Sequence, residues 1–135
     1  MKTTGATASL FTEVGLLIKS RMQAAVSMPF SQCQALWFVA QHESPNMQDV
    51  ANYFKIRAPS ATFLVDELVR AGHLKRQANT KDRRKVELTL TPKGKKAFKI
   101  FEEKRTKILH SLFGALDEPD RKELNRILEK IISNA

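Results

Sequence analysis

Five consecutive residues, Lys81-Asp82-Arg83-Arg84-Lys85, set four cations around one carboxylate. The chemistry they suit is the binding of phosphate. Lys and Arg side chains gain against a polyanion by releasing the counterions condensed on it. The concentration continues on both sides: between Arg70 and Lys96, ten Lys/Arg face two acids, Asp82 and Glu87. That local +8 nearly equals the formal +9 of the whole chain, and it implies a polyanionic partner. Alternating Val86, Leu88 and Leu90 behind the run make it the tip of a hairpin. A tip has no core to brace, so Arg83 and Arg84 have no structural task there. Asp82 can form the turn through its side chain or orient Arg84, and the two roles coexist.

Other chemistries find little footing. Cys33 is the lone cysteine, which excludes an internal disulfide framework and fits a reducing cytoplasm. Its place in the first turn of a helix could lower the thiol pKa, which makes it a candidate redox sensor. Against that, no Lys, Arg or His lies within four residues to hold a thiolate. His42, His73 and His110 lack metal-ligand spacing, so no metal site is expected. No Ser-His-Asp set, paired-carboxylate pocket, phosphate loop or Gly-rich cofactor motif occurs, so neither catalysis nor a cofactor is expected. Phe30, Trp37 and Phe38 gather on one stretch, as core or dimer packing or as the lining of a ligand pocket.

The elements that must position the basic run follow from periodicity. Leu10, Phe11, Val14, Leu17, Ile18 and Met22 predict an amphipathic helix over about 8–27. Ser31 with Gln34 reads as a capping box opening a second helix through Leu36, Trp37 and Val39. After Ser44-Pro45, Asn46 is a good N-cap for a short helix over 47–54, with Val50, Ala51 and Phe54 inward. A fourth helix over about 58–71 points Ala61, Leu64, Val65 and Leu68 inward and ends at Gly72, where a left-handed cap is wanted. The hairpin joins Leu74–Ala78 to Val86–Leu90 through a polar turn over 79–83. Thr91-Pro92 starts a fifth helix to about Gly114, whose Glu102-Glu103-Lys104-Arg105 reads as a solvated face. Asp117 caps a last helix striped by Leu124, Ile127, Leu128, Ile131 and Ile132.

Two short helices about four residues apart with a hairpin behind the second make a winged helix-turn-helix. The fold expected is therefore mainly α with a small β-hairpin wing, flanked by N- and C-terminal dimerisation helices. At 135 residues and 42% hydrophobic content, one domain and one core are expected. Within it, about 31–91 form the DNA-binding lobe, and about 8–28 and 92–135 the dimerisation helices. Residues 1–14 lack an apolar run of signal-peptide length, and no stretch is long enough to span a bilayer, so a cytoplasmic protein without a membrane partner is expected.

In this order and spacing, three segments carry a resemblance: Asp66-Glu67-Leu68-Val69-Arg70-Ala71-Gly72-His73-Leu74-Lys75-Arg76, then Asp82-Arg83-Arg84, then Leu88-Thr89-Leu90-Thr91-Pro92-Lys93-Gly94. They resemble the MarR family of transcriptional regulators over nearly the full length. The resemblance implies a homodimeric repressor or activator on a pseudo-palindromic operator of double-stranded DNA. By position it assigns Arg57, Pro59, Ser60 and Thr62 to the major groove and Arg84 to the minor groove, with Asp82 orienting Arg84. Lys81, Arg83 and Lys85 complete the expected DNA-binding set. It also implies a small phenolic or lipophilic effector in a pocket between the dimer helices and the DNA-binding lobe. One departure stands out: relatives often carry Ser or Thr at the recognition-helix N-cap, where this chain offers Ile56-Arg57-Ala58. Two other readings remain: a thiol sensor through Cys33, and a winged-helix protein-interaction module, which would want an uncharged wing.

Overall fold

A computed structural model describes residues 2–135, with side chains described from residue 4 onward. Among the described residues, six helices and one hairpin follow in the order α1 (Lys2–Ala25), α2 (Phe30–Gln41), α3 (Met47–Phe54), α4 (Ala58–Arg70), β1 (Leu74–Ala78), β2 (Val86–Leu90), α5 (Pro92–Phe113) and α6 (Glu118–Ser133). The strands pair antiparallel with Leu74 opposite Leu90 and Ala78 opposite Val86.

The core of the lobe lies beneath α2, α3, α4 and the hairpin. Leu36, Val50, Val65, Leu68, Leu74 and Leu88 are all buried there. A second cluster of Met22, Cys33 and Phe101 ties α1, α2 and α5 together. The inward residues expected of α3 and α4 face these cores, because their apolar stripes recur at helical spacing.

Helix ends are set by local chemistry. Asn46 and Asp49 form a reciprocal capping box on α3, at 2.8 and 2.9 Å. Gly72, at φ 83°, closes α4 in a Schellman turn: its N–H donates to Val69 O (3.0 Å) and that of His73 to Leu68 O (2.9 Å). The end of α3 repeats this arrangement with Lys55 in the left-handed position, at φ 56°. Lys55 N–H donates to Asn52 O (3.3 Å) and Ile56 N–H to Ala51 O (3.0 Å). Thr91 caps α5 while its hydroxyl donates to Gly72 O at 2.5 Å, which locks the wing's exit to the end of α4.

Two expectations need correction. α1 begins at Lys2 rather than near residue 8, since the apolar stripe that signals it starts only at Leu10 while the residues before it are compatible with helix. The Ser31/Gln34 capping box does not form. α2 starts at Phe30, with Pro29 as N-cap and its carbonyl accepting from Gln32 and Cys33 N–H (3.0 and 3.1 Å). The Phe30 ring packs on the Met22–Cys33–Phe101 cluster, and Pro29 already has the fixed φ a helix start needs. Pairing also extends beyond the hairpin, for Leu88 N–H donates to Pro45 O (2.8 Å) and Asn46 bridges to Glu87.

α6 buries no residue, and Ile131 and Ile132 are well exposed. At the other end of the chain Leu10 and Phe11 of α1 are exposed as well, Phe11 by 72%. These are large apolar side chains left in water on terminal helices.

Candidate nucleic-acid interface

The helix-turn-helix is α3, the Lys55–Arg57 turn and α4. Half-buried Ile56 packs on the lobe core and anchors the turn. α4 then presents Ala58, Pro59, Ser60, Thr62 and Phe63 outward while Ala61, Val65 and Leu68 are buried. Its N-cap, Arg57, makes no side-chain cap bond, and Pro59 fills one of the first two helical positions without an N–H to satisfy. The first turn therefore keeps amides that no side chain of the helix start occupies, in keeping with the Ile56-Arg57-Ala58 sequence.

The wing is shaped by two short polar side chains. Asn79 Oδ1 accepts from Lys81 N–H (2.7 Å) and Asp82 N–H (3.0 Å), and its amide group donates to Glu87. Asp82 Oδ1 accepts from Arg84 N–H (3.1 Å) and from Arg84 Nε (3.3 Å). Asp82 thus serves turn and arginine together. Lys81, Arg83, Arg84 and Lys85 stay exposed, and this pairing is a surface one worth little to stability. Arg84 and Lys85 also line a cleft with Asn46, Met47 and Gln48 at the start of α3. Sequence reasoning missed Asn79, although an Asn two and three residues before the amides it caps is the recognisable sign of such a turn.

The residues expected to line a ligand pocket separate. Phe30 and Trp37 border a cavity of about 140 Å³ together with Gln34, Tyr53, Phe101 and Arg105. Phe38 lies outside it. Adjacent residues on a helix point roughly 100° apart, and Phe38 turns into the lobe, stacked on Tyr53 (4.5 Å between centroids) and beside His42 (4.2 Å). The expected solvated face of α5 is corrected in the same place. Arg105 is half-buried, its guanidinium 5.9 Å from the Trp37 ring centroid and 3.2 Å from Glu102 Oε1. One apolar–cation pair, Phe101 and Arg105 at i, i+4, could have revealed this inward face.

Cys33 is buried beside that cavity's wall. Burial pushes its thiol up to about 11, only partly offset by its own backbone N–H. His73, at the corner between α4 and β1, is held below the usual histidine range by burial and then by the Lys93 ammonium. Among the described residues no group of three or more His, Cys, Asp or Glu could hold a metal ion, and no helix is long and apolar enough to cross a membrane.

Residues 26–85, from before α2 to the tip of the wing, match the family model described as "MarR family". The chain is 30% identical over 119 residues to YfiV of Bacillus subtilis, named an uncharacterized HTH-type transcriptional regulator, covering 84% of this chain and 72% of that one. It is 32% identical over 74 residues to the transcriptional repressor MprA of Escherichia coli K12, covering 55% of this chain and 42% of MprA. In three dimensions it is similar to the S. aureus MepR–DNA complex, with a TM-score of 0.82 at 20% identity over 95% of this chain and 97% of that one.

Proposed function

Because the chain belongs to the MarR family of transcriptional regulators, we propose that it is a homodimeric, sequence-specific double-stranded DNA-binding repressor whose release is driven by a small lipophilic or phenolic effector. One observation carries the reading: an arginine-bearing wing, pre-shaped by Asn79 and Asp82, stands on the same lobe as a recognition helix with a bare outward face. Arg57, Pro59, Ser60 and Thr62 face the major groove in this reading. Arg84, oriented by Asp82, enters the flanking minor groove, and Lys81, Arg83 and Lys85 meet phosphates. A phosphate also suits the uncapped first turn of α4, where amides and helix dipole favour an anion. The apolar faces of α1 and α6 supply the dimer contact.

The effector site is the cavity under Trp37. Its volume suits one aromatic ring, comparable to cavities of about 150 Å³ that take up benzene. Tyr53 links it to the DNA-reading half, since its ring touches Trp37, Phe38 and Phe54. A ligand there acts through its different affinity for the DNA-competent and other arrangements of α3 and α4. Thiol sensing is the weaker reading, because Cys33 is buried and its thiol stays protonated at neutral pH. A protein-interaction module is weaker still, given the cationic wing.

The test is a footprint on DNA flanking the protein's own coding region, beside sedimentation of the free protein. The expected result is a dimer protecting two half-sites whose centres lie about 10 bp apart. Uniform binding to every duplex with no footprint would sink the proposal.

A further inference from the structure

Resting on the DNA-binding reading above, we infer that α4 recognises its half-site through thymine methyl groups, with Phe63 as the specificity-determining side chain. The helix's outward face over its first two turns is Ala58, Pro59, Ser60, Thr62 and Phe63. Within the helix it holds no Arg, Lys, Asn or Gln, the side chains that make paired hydrogen bonds to base edges, and Arg57 stands before it as the N-cap. The next acid on the helix, Asp66, is engaged by Arg76 of β1. What remains are two short hydroxyls and a phenyl ring that is 68% exposed, one turn beyond Pro59 on the same face.

A ring left in water on a helix with an otherwise complete apolar stripe has no packing task within the lobe. The major groove offers one prominent apolar feature, the C5-methyl of thymine. Charge complementarity selects DNA as the occupant over a second protein, since Arg57 begins the helix and the wing adds Lys81, Arg83, Arg84 and Lys85. On the proposed reading, Lys81, Arg83 and Lys85 thus bring the apolar reader to the duplex by phosphate contacts that are blind to sequence.

The experiment selects duplexes from a library with a randomised centre of about two helical turns, enough for both half-sites, then replaces single thymines in each half-site by deoxyuridine. That change removes one methyl and leaves every hydrogen-bonding edge intact. For the wild type, the contacted thymine should show about fourfold weaker binding per half-site, the weight of one buried methyl. Phe63→Ala should bind the thymine and uracil duplexes alike, and Phe63→Leu should keep part of the discrimination. Phe63 is exposed, so both variants should retain the wild-type melting temperature. Selected half-sites that tolerate uracil everywhere, or the same uracil penalty in wild type and Phe63→Ala, would overturn the inference and leave DNA binding standing. A Phe63→Ala change in oligomeric mass without a change in uracil discrimination would assign the ring to a protein contact and equally overturn it. If no duplex is enriched, the DNA-binding reading itself fails and takes this inference with it.

Discussion

A Cβ on Gly94 would lie 2.0 Å from the carbonyl oxygen of His73. The first turn of α5 therefore sits directly on the peptide at the corner between α4 and β1, and the same carbonyl accepts the Thr91 N–H at 3.1 Å. Backbone meets backbone here, so no side-chain rotation can make room. Gly94→Ala should cost about 3 kcal/mol or more, because inserted carbon in a rigid contact forces the backbone to move. Gly72→Ala should cost about 1 kcal/mol, for it meets only the Lys93 side chain at 3.7 Å and bears the left-handed penalty alone. Urea midpoints of the two variants should rank in that order, and a reversed order would show that the corner is not rigid.

The left-handed Lys55 offers the opposite experiment. Glycine adopts φ 56° without steric cost, whereas lysine is penalised by its Cβ. Lys55→Gly should stabilise the protein by about 0.5–1 kcal/mol after allowance for glycine's extra freedom in the unfolded chain. A lower melting temperature for the variant would mean that the Lys55 side chain contributes more than its backbone costs.

Arg84→Ala should leave stability within about 0.5 kcal/mol of wild type, since the side chain is exposed at the wing. Operator affinity should nevertheless fall, together with the preference for A·T-rich flanks. Lys81→Ala or Lys85→Ala should weaken binding to all sequences alike and lower the salt slope by about one for each phosphate left without its cation. Equal operator binding by wild type and Arg84→Ala would mean that the wing is not engaged.

Ile127→Glu combined with Ile131→Glu should give monomer or insoluble protein. Both residues are exposed on the stripe of α6, where two carboxylates would have to be desolvated to re-form an apolar contact. Sedimentation reads the outcome directly, and a soluble variant of unaltered mass would remove α6 from the dimer contact.

Cys33 predicts a pH dependence with a definite sign. Its thiol rises from 9.0 to about 11 on burial, so the folded state favours the protonated form. The associated stability is fully present below pH 9 and is lost as pH climbs toward 11. Between those values wild type should lose stability faster than Cys33→Ala. At a pH of about 8 the folded thiol should react with an alkylating agent about 100-fold more slowly than the unfolded one, in proportion to thiolate content. Rapid alkylation of the folded protein would restore the thiol sensor as a contender.

Much of this was legible in the chain. The helix-turn-helix and the wing could be read because their apolar periods, Gly72 and the polar turn are local signals. The start of α2 could not, because Ser31 and Gln34 imitate a cap while the packing of Phe30 on the Met22–Cys33–Phe101 cluster joins residues far apart in sequence. The cavity was half legible. Phe30 and Trp37 were visible, but Phe38 is turned away by one helical step, and Arg105 was masked by its charged neighbours. Asn46's pairing with Glu87 is likewise a long-range event with no signature in either segment.

α5 runs 22 residues from the wing corner past the cavity toward α6, a rod of about 33 Å. Its first turn is clamped at Thr91 and Gly94, and Phe101 and Arg105 face the cavity near its middle. Such a rod is a lever: at a length of about 33 Å, a tilt of roughly 10° carries the far end through about 6 Å. That displacement matches the spacing between neighbouring phosphates along a strand in scale. In the proposed dimer, two such levers would carry the half-site grips out of register around a wedge no thicker than one aromatic ring.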